Sequence, residues 1–184
     1  MMSARNLVGK QTALHLAAWY GQAEAVQYLL SGSSSSMMMM SSEIVNAPCR
    51  AGWGMLHYAV HGILRGRGEF RRHKVDEMTQ FLDILFEHGA NVNQADRQGF
   101  TPLCQIANSV KYETLLLMLN PHYVTLRDAN EWSTWSTGNM DPHIRSVLQL
   151  LIRKGADTEW KTKAGKSVSD LAFYMRDIDS IPPG

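Results

Sequence analysis

Two kinds of apolar stretch alternate along the chain. The first kind is short and rich in small residues: TALHLAAWYG (12–21), GMLHYAVHG (54–62) and TPLCQIANS (101–109) align with one another by residue type. Each is followed by a second stretch: AVQYLLSG (25–32), FLDILFEHGANVN (81–93) and LLLMLN (115–120). A further one, VLQLLIRKGAD (147–157), has no evident partner upstream. Val26, Leu29 and Leu30 recur at helical spacing, so the second kind predicts an amphipathic helix with one buried face. Each pair therefore predicts an inner helix, a reversal and an outer helix.

Local chemistry supports these elements. Thr12 and Thr101 precede the apolar stripe, where a hydroxyl accepts from a free N–H of the first helical turn. Pro102 follows, at a position where its missing N–H is harmless. Leu14, Leu56 and Leu103 start the buried stripe, and Ala17, Ala18, Ala59 and Ala107 allow inner helices to approach closely. Gly21 permits the reversal between helices, and Gly89-Ala90 and Gly155-Ala156 end theirs. The interval from Gly89 to Gly155 equals that from Gly99 to Gly165. Each is twice the period of about 33 that marks one repeat architecture, whose signature is T-P-L-H-x-A. With Thr101-Pro102-Leu103 and Thr12-Ala13-Leu14-His15-Leu16-Ala17 matching that signature, the chain resembles an ankyrin-repeat protein over nearly its whole length.

The resemblance implies an all-α solenoid of about four helix-turn-helix repeats plus a C-terminal capping helix, in a single domain. The repeats fall at about 6–32, 51–91, 96–123 and 128–157, with the cap at 163–177. Two loop insertions interrupt them, at about 33–42 and 62–74. The first is the run GSSSSMMMMSSE, loop-like in the hairpin joining repeats 1 and 2, whose methionines are either tolerated slack or a grip on an apolar groove of a partner. The second shows in the interval from Leu56 to Phe86, which is much longer than those from Leu14 to Leu30 and from Leu103 to Leu119. Repeat 4 departs most from the pattern. Ser133-Thr134-Trp135-Ser136 stands where the signature belongs, and Gly138 and Asn139 disfavour a helix. Its tryptophans, Trp132 and Trp135, either fill the space of the missing helix or stand exposed as binding anchors. Its outer helix is well specified, with Asp141 as cap, Pro142 at the first position, and a stripe of Ile144, Val147, Leu148 and Leu151.

Composition narrows the function. Apolar residues make up 45% of the 184, which is enough for a core, and a net charge of +1 gives no overall bias toward nucleic acid or membrane. Two cysteines, Cys49 and Cys104, cannot build a disulfide framework, which points to a reducing, cytoplasmic setting. No apolar run is long enough to span a bilayer. The basic and apolar N-terminus is compatible with a transit peptide, but the same residues fit the first repeat better.

No Gly-rich phosphate loop, nucleophile elbow, C-x-x-C or H-E-x-x-H occurs, so no catalytic residue, cofactor, metal or small-molecule substrate is expected. His15 and His57 belong to the repeat signature, where the family's histidine bonds threonine and backbone; Gly54 replaces that threonine in repeat 2. The resemblance implies non-enzymatic protein–protein binding, as an adaptor or as a subunit of a larger assembly, through the concave face of inner helices and hairpins. The matching positions are Trp19, Tyr20, Trp53, Arg97, Gln98, Phe100, Asn108, Asn130 and Trp132. A basic loop carrying Arg65, Arg67, Arg71, Arg72 and Lys74 supplies the alternative, contact with an acidic protein tail or RNA. Asn93, with Leu85 and Val92 before it, partly matches the family's asparagine-hydroxylation pattern, although Asn91 stands where an acid is usual.

Overall fold

In the computed structural model of the chain, residues 11–31, 38–66, 75–109 and 142–172 are described. Among the described residues seven helices follow in order: α1 Ala13–Tyr20, α2 Ala23–Ser31, α3 Met38–Val45, α4 Met55–Leu64, α5 Val75–Glu87, α6 Pro102–Ala107 and α7 Pro142–Arg153. A further helical stretch opens at 168–172. Among the described residues there is no strand, only an isolated antiparallel bridge between Lys161 and Ser167. None of these helices is long and apolar enough to cross a membrane.

The starts of the helices follow their sequence. The Thr12 hydroxyl accepts from the His15 N–H, and Thr101 accepts from Cys104, which satisfies donors the helix cannot. The 168–172 stretch starts with a reciprocal cap: the Ser167 hydroxyl accepts from the Asp170 N–H, while the Asp170 carboxylate accepts from the Ser167 N–H at 2.8 Å. The Ser167 hydroxyl, which also donates to the Asp170 carboxylate, and the Ser167 N–H hold that carboxyl below its ordinary value.

Packing sorts the helices into two rows. α1 packs on α4 and α4 on α6, while α2 meets α5 and α5 meets α7. The shared core holds Leu56, Leu82, Leu85, Leu103, Leu148 and Leu151, all essentially inaccessible. Burying one such side chain stabilises by about 1.5–3 kcal/mol. The Lys154–Asp83 pair, joining the residue just past α7 to α5 at 2.7 Å but half-exposed, contributes at most about 1 kcal/mol. Apolar burial decides this interface.

Three hairpins, at 49–53, 96–100 and 162–166, share one bonding pattern. Cys49 N–H donates to Trp53 O, Asp96 N–H to Phe100 O, and Thr162 N–H to Lys166 O, each at 2.9 Å. They are joined to each other in the same register: Arg97 N–H donates to Ala51 O, and Lys163 N–H to Gln98 O, both at 3.1 Å. A Cβ on Gly52 or Gly99 would lie 2.6 Å from the incoming backbone nitrogen of Arg97 or Lys163, so both positions need glycine for the approach as well as for their positive φ. Asparagines repeat the join lower down. Asn46 Nδ2 donates to Gly89 O and its Oδ1 accepts from Asn91 N–H; Asn93 does the same with Gly155 O and Asp157 N–H. The hairpin after α7 therefore lies directly beside the hairpin after α5, where the repeat spacing called for an intervening hairpin near 120–130.

Two expectations change. The Ser/Met run is not loop throughout, because its second half forms α3, whose end is tied down by Val45 burial and by the Asn46 bonds to the 89–94 segment. α4 runs on to Leu64, so residues 62–64, expected in an insertion, are helical. Of the proposed repeat segments 96–123 and 128–157, residues 110–123 and 128–141 lie outside the described residues.

Candidate functional site

His57 anchors the site. It is fully buried on α4, its Nδ1 accepts from Gly54 N–H at 3.3 Å, and its Nε2 lies 2.9 Å from Phe100 O. With Nδ1 occupied as an acceptor, the proton sits on Nε2 and is donated to the Phe100 carbonyl. The missing threonine is thus replaced by backbone, and the Gln94 side chain takes the space a Cβ at position 54 would need. Burial lowers the His57 pKa, against smaller opposing effects of the Phe100 carbonyl and the Asp96 charge. His15 is similarly fixed, with Nδ1 against Thr12 and Nε2 2.9 Å from Ala47 O. Both histidines join a helix to a following loop.

An aromatic cluster builds outward from His57. Trp53 stacks on it at 6.3 Å, and both Trp53 and Trp19 pack against Tyr58 and His61, at 5.1–5.5 Å between ring centres. The Tyr58 hydroxyl accepts from Gln11 Nε2 at 2.8 Å. Burial and the neighbouring Cys49 push the Tyr58 pKa up. Trp53 Nε1 donates to Asp96, whose carboxylate also accepts from Gln98 and Phe100 N–H. Three donors thus hold this acid inside the hairpin that carries Arg97.

Beside the cluster is a cavity of about 530 Å³ between the end of α4, α6 and the 96–100 hairpin. It has an apolar side of Trp53, Phe100 and Leu64, and a polar side of His61, Asp96, Gln98, Gln105, Asn108 and Ser109, with Arg65 at the rim. Its size is that of a pocket holding a few side chains of a partner or a small ligand. Its cause is local. α6 ends at Ala107 and is shorter than α4, so the last turn of α4 extends past it. Gln105 Oε1 is buried with no hydrogen-bond partner among the described residues, so the cavity wall holds an acceptor in need of a donor.

Of the expected binding residues, Trp53, Gln98, Phe100 and Asn108 meet in this cavity, and Arg97 stands exposed on the adjoining hairpin tip. Trp19 joins them through His61, whereas Tyr20 is an exposed residue at the end of α1 that does not line the cavity. Asn130 and Trp132 lie outside the described residues. So do Arg67, Arg71, Arg72 and Lys74 of the basic loop, leaving only Arg65, exposed just past α4. His61, Leu64 and Gln105 were not foreseen. His61 was within reach: it holds in α4 the place of Trp19 in α1 and Asn108 in α6. Among the described residues no group of three His, Cys, Asp or Glu is placed to hold a metal ion.

The family model for the ankyrin repeat matches residues 9–38, the segment of α1 and α2. No curated protein matches the chain.

Proposed function

Since the chain is an ankyrin-repeat protein, and such repeats are in general protein-interaction modules, we propose that it binds a protein partner without catalysing a reaction, as an adaptor or as a subunit of a larger assembly. The site is the concave face around the 530 Å³ cavity. The observation that carries this reading is the convergence there of half-buried aromatics with a polar rim and one unpartnered buried acceptor. Its setting is the cytoplasm, in keeping with Cys49 and Cys104, both buried and unpaired.

The architecture we propose is a solenoid of three stacked helix pairs, α1/α2, α4/α5 and α6/α7, closed by the helix that opens at 168–172. The support is the shared register of the three hairpins, Arg97 to Ala51 and Lys163 to Gln98. In this register the interval from Gly89 to Gly155 is one repeat with an insertion between α6 and α7, not two repeats.

The test is native capture from cell extract with mass spectrometry, wild type against Asn108→Arg. Asn108 is exposed and lines the cavity, so the change blocks it while leaving stability within about 0.5 kcal/mol. Loss of the same captured protein supports the reading. Undiminished capture with an unchanged melting curve refutes it.

A further inference from the structure

The three hairpins carry a row of charge that the protein-binding reading does not use. Arg50, Arg97 and Lys163 occupy the same position in successive hairpins, each immediately before the residue–glycine pair of the turn. All three are exposed, and none has an ion pair or side-chain hydrogen bond among the described residues. Across the segments 46–54, 93–101 and 159–167 there are five cations (Arg50, Arg97, Lys161, Lys163, Lys166) against two acids (Asp96, Glu159). Lys161 and Lys166 act on the nearby Asp170 carboxylate, so the row's charge is carried by Arg50, Arg97 and Lys163. Asp96, whose carboxylate accepts from Trp53, Gln98 and Phe100 N–H, leaves one negative charge in the row, already counted in that balance.

We propose that this edge docks an extended acidic peptide whose carboxylates recur at every third residue. The proposal rests on the protein-binding reading and specifies the partner's chemistry. Stacked helices sit about 8–10 Å apart, and hairpins bonded backbone to backbone advance by the same step. The three cations therefore span about 16–20 Å, two such steps. A polyproline-II chain turns once in three residues and rises about 3.1 Å per residue, so residues i, i+3 and i+6 share a face at intervals of about 9.3 Å. That matches the row rung for rung. A β-strand does not, because its i and i+3 side chains point to opposite faces. Three cations are also few for a nucleic-acid site, which typically draws on about six to ten phosphate contacts. The cavity opens next to Arg97, at Gln98 and Phe100, so an apolar residue beside the middle carboxylate enters it.

The test uses the full chain and a fluorescein-labelled decapeptide. Its Glu residues stand at the first, fourth and seventh positions, with Leu after the middle Glu and Pro, Ala and Ser elsewhere. A control of the same composition has the three Glu adjacent, and a uridine decanucleotide serves as a further probe. Anisotropy at about 50 mM salt is expected to give the periodic peptide about tenfold tighter binding than the control. Arg50→Ser/Arg97→Ser/Lys163→Ser is expected to remove that advantage with an unchanged melting curve, and about 1 M salt to abolish it in the wild type. Equal binding of both peptides, or an advantage that survives the triple substitution, overturns the proposal. So does tighter binding of the uridine probe than of the periodic peptide. Any of these results leaves the protein-binding reading standing if Asn108→Arg still removes the captured protein.

Discussion

Replacing His57 by Gln is the sharpest probe of how the site is held. The Gln amide nitrogen can still donate to the Phe100 carbonyl, but the Gln oxygen then does not fall where Nδ1 stood, so Gly54 N–H becomes a buried, unpaired donor. Such a group costs about 1–3 kcal/mol. The lost stacking on Trp53 adds about 0.5–1.5 kcal/mol. The expected total at about pH 7.5 is therefore about 1.5–4.5 kcal/mol. The pH dependence follows from the lowered pKa of His57 in the folded chain. Below the unfolded value of 6.5, the unfolded state takes up a proton that the folded state refuses. The stabilisation from neutral, buried His57 is thus complete above pH 6.5 and is lost as pH falls toward the depressed folded value. The wild type loses up to about 1.4 kcal/mol per pH unit in that window from this residue, and the Gln variant loses none from it. Urea titrations of both proteins at several pH values should show the gap narrowing below pH 6.5. A gap that stays constant from about pH 7.5 to 5.5 refutes the assigned geometry. So does a gap under about 0.5 kcal/mol throughout, the size of an ordinary surface substitution.

Two further substitutions bear on the hairpin stack. Gly99→Ala and Gly165→Ala both meet a positive φ, of 85° and 77°, but only the first drives its methyl into a neighbouring backbone nitrogen. Gly165→Ala is expected to destabilise by about 1 kcal/mol, and Gly99→Ala by at least about 2 kcal/mol more, in thermal or urea melts. Equal effects would mean that the hairpins are not in direct contact. Asn93→Ala removes the bonds to Gly155 O and Asp157 N–H and should cost about 1–2 kcal/mol, with amide exchange of Asp157 accelerated; unchanged exchange there would contradict the bridge.

Much of the fold was legible because each local signal had a single meaning. Thr12 and Thr101 cap where expected, Pro142 starts α7, and the stripe of Val147, Leu148 and Leu151 is buried. Distance along the chain leaves the repeat count open. The interval from Gly89 to Gly155 equals two repeat lengths, and sequence alone cannot distinguish two repeats from one repeat with an insertion of the same size. Only the bonds of Lys163 to Gln98 and of Asn93 to Gly155 bear on that. The Ser/Met run failed for a different reason. Serine is a poor helix former, but tertiary contacts override propensity, and Asn46 ties the end of α3 to the neighbouring hairpin. The repeat register put Trp53 and Phe100 on one face, and both line the cavity. Leu64 and Gln105 were not legible, because they line a cavity only where α6 stops short of α4.

Both the cavity and the cationic row depend on three hairpins stacked without an intervening one. Pulsed electron paramagnetic resonance between spin labels at Arg50→Cys and Lys163→Cys, with Cys49 and Cys104 replaced by Ser, measures this directly. Two stacking steps of about 8–10 Å predict a backbone separation of about 16–20 Å. A distance of about 24–30 Å, the span of three steps, would place another repeat between α5 and α7 and contradict the account.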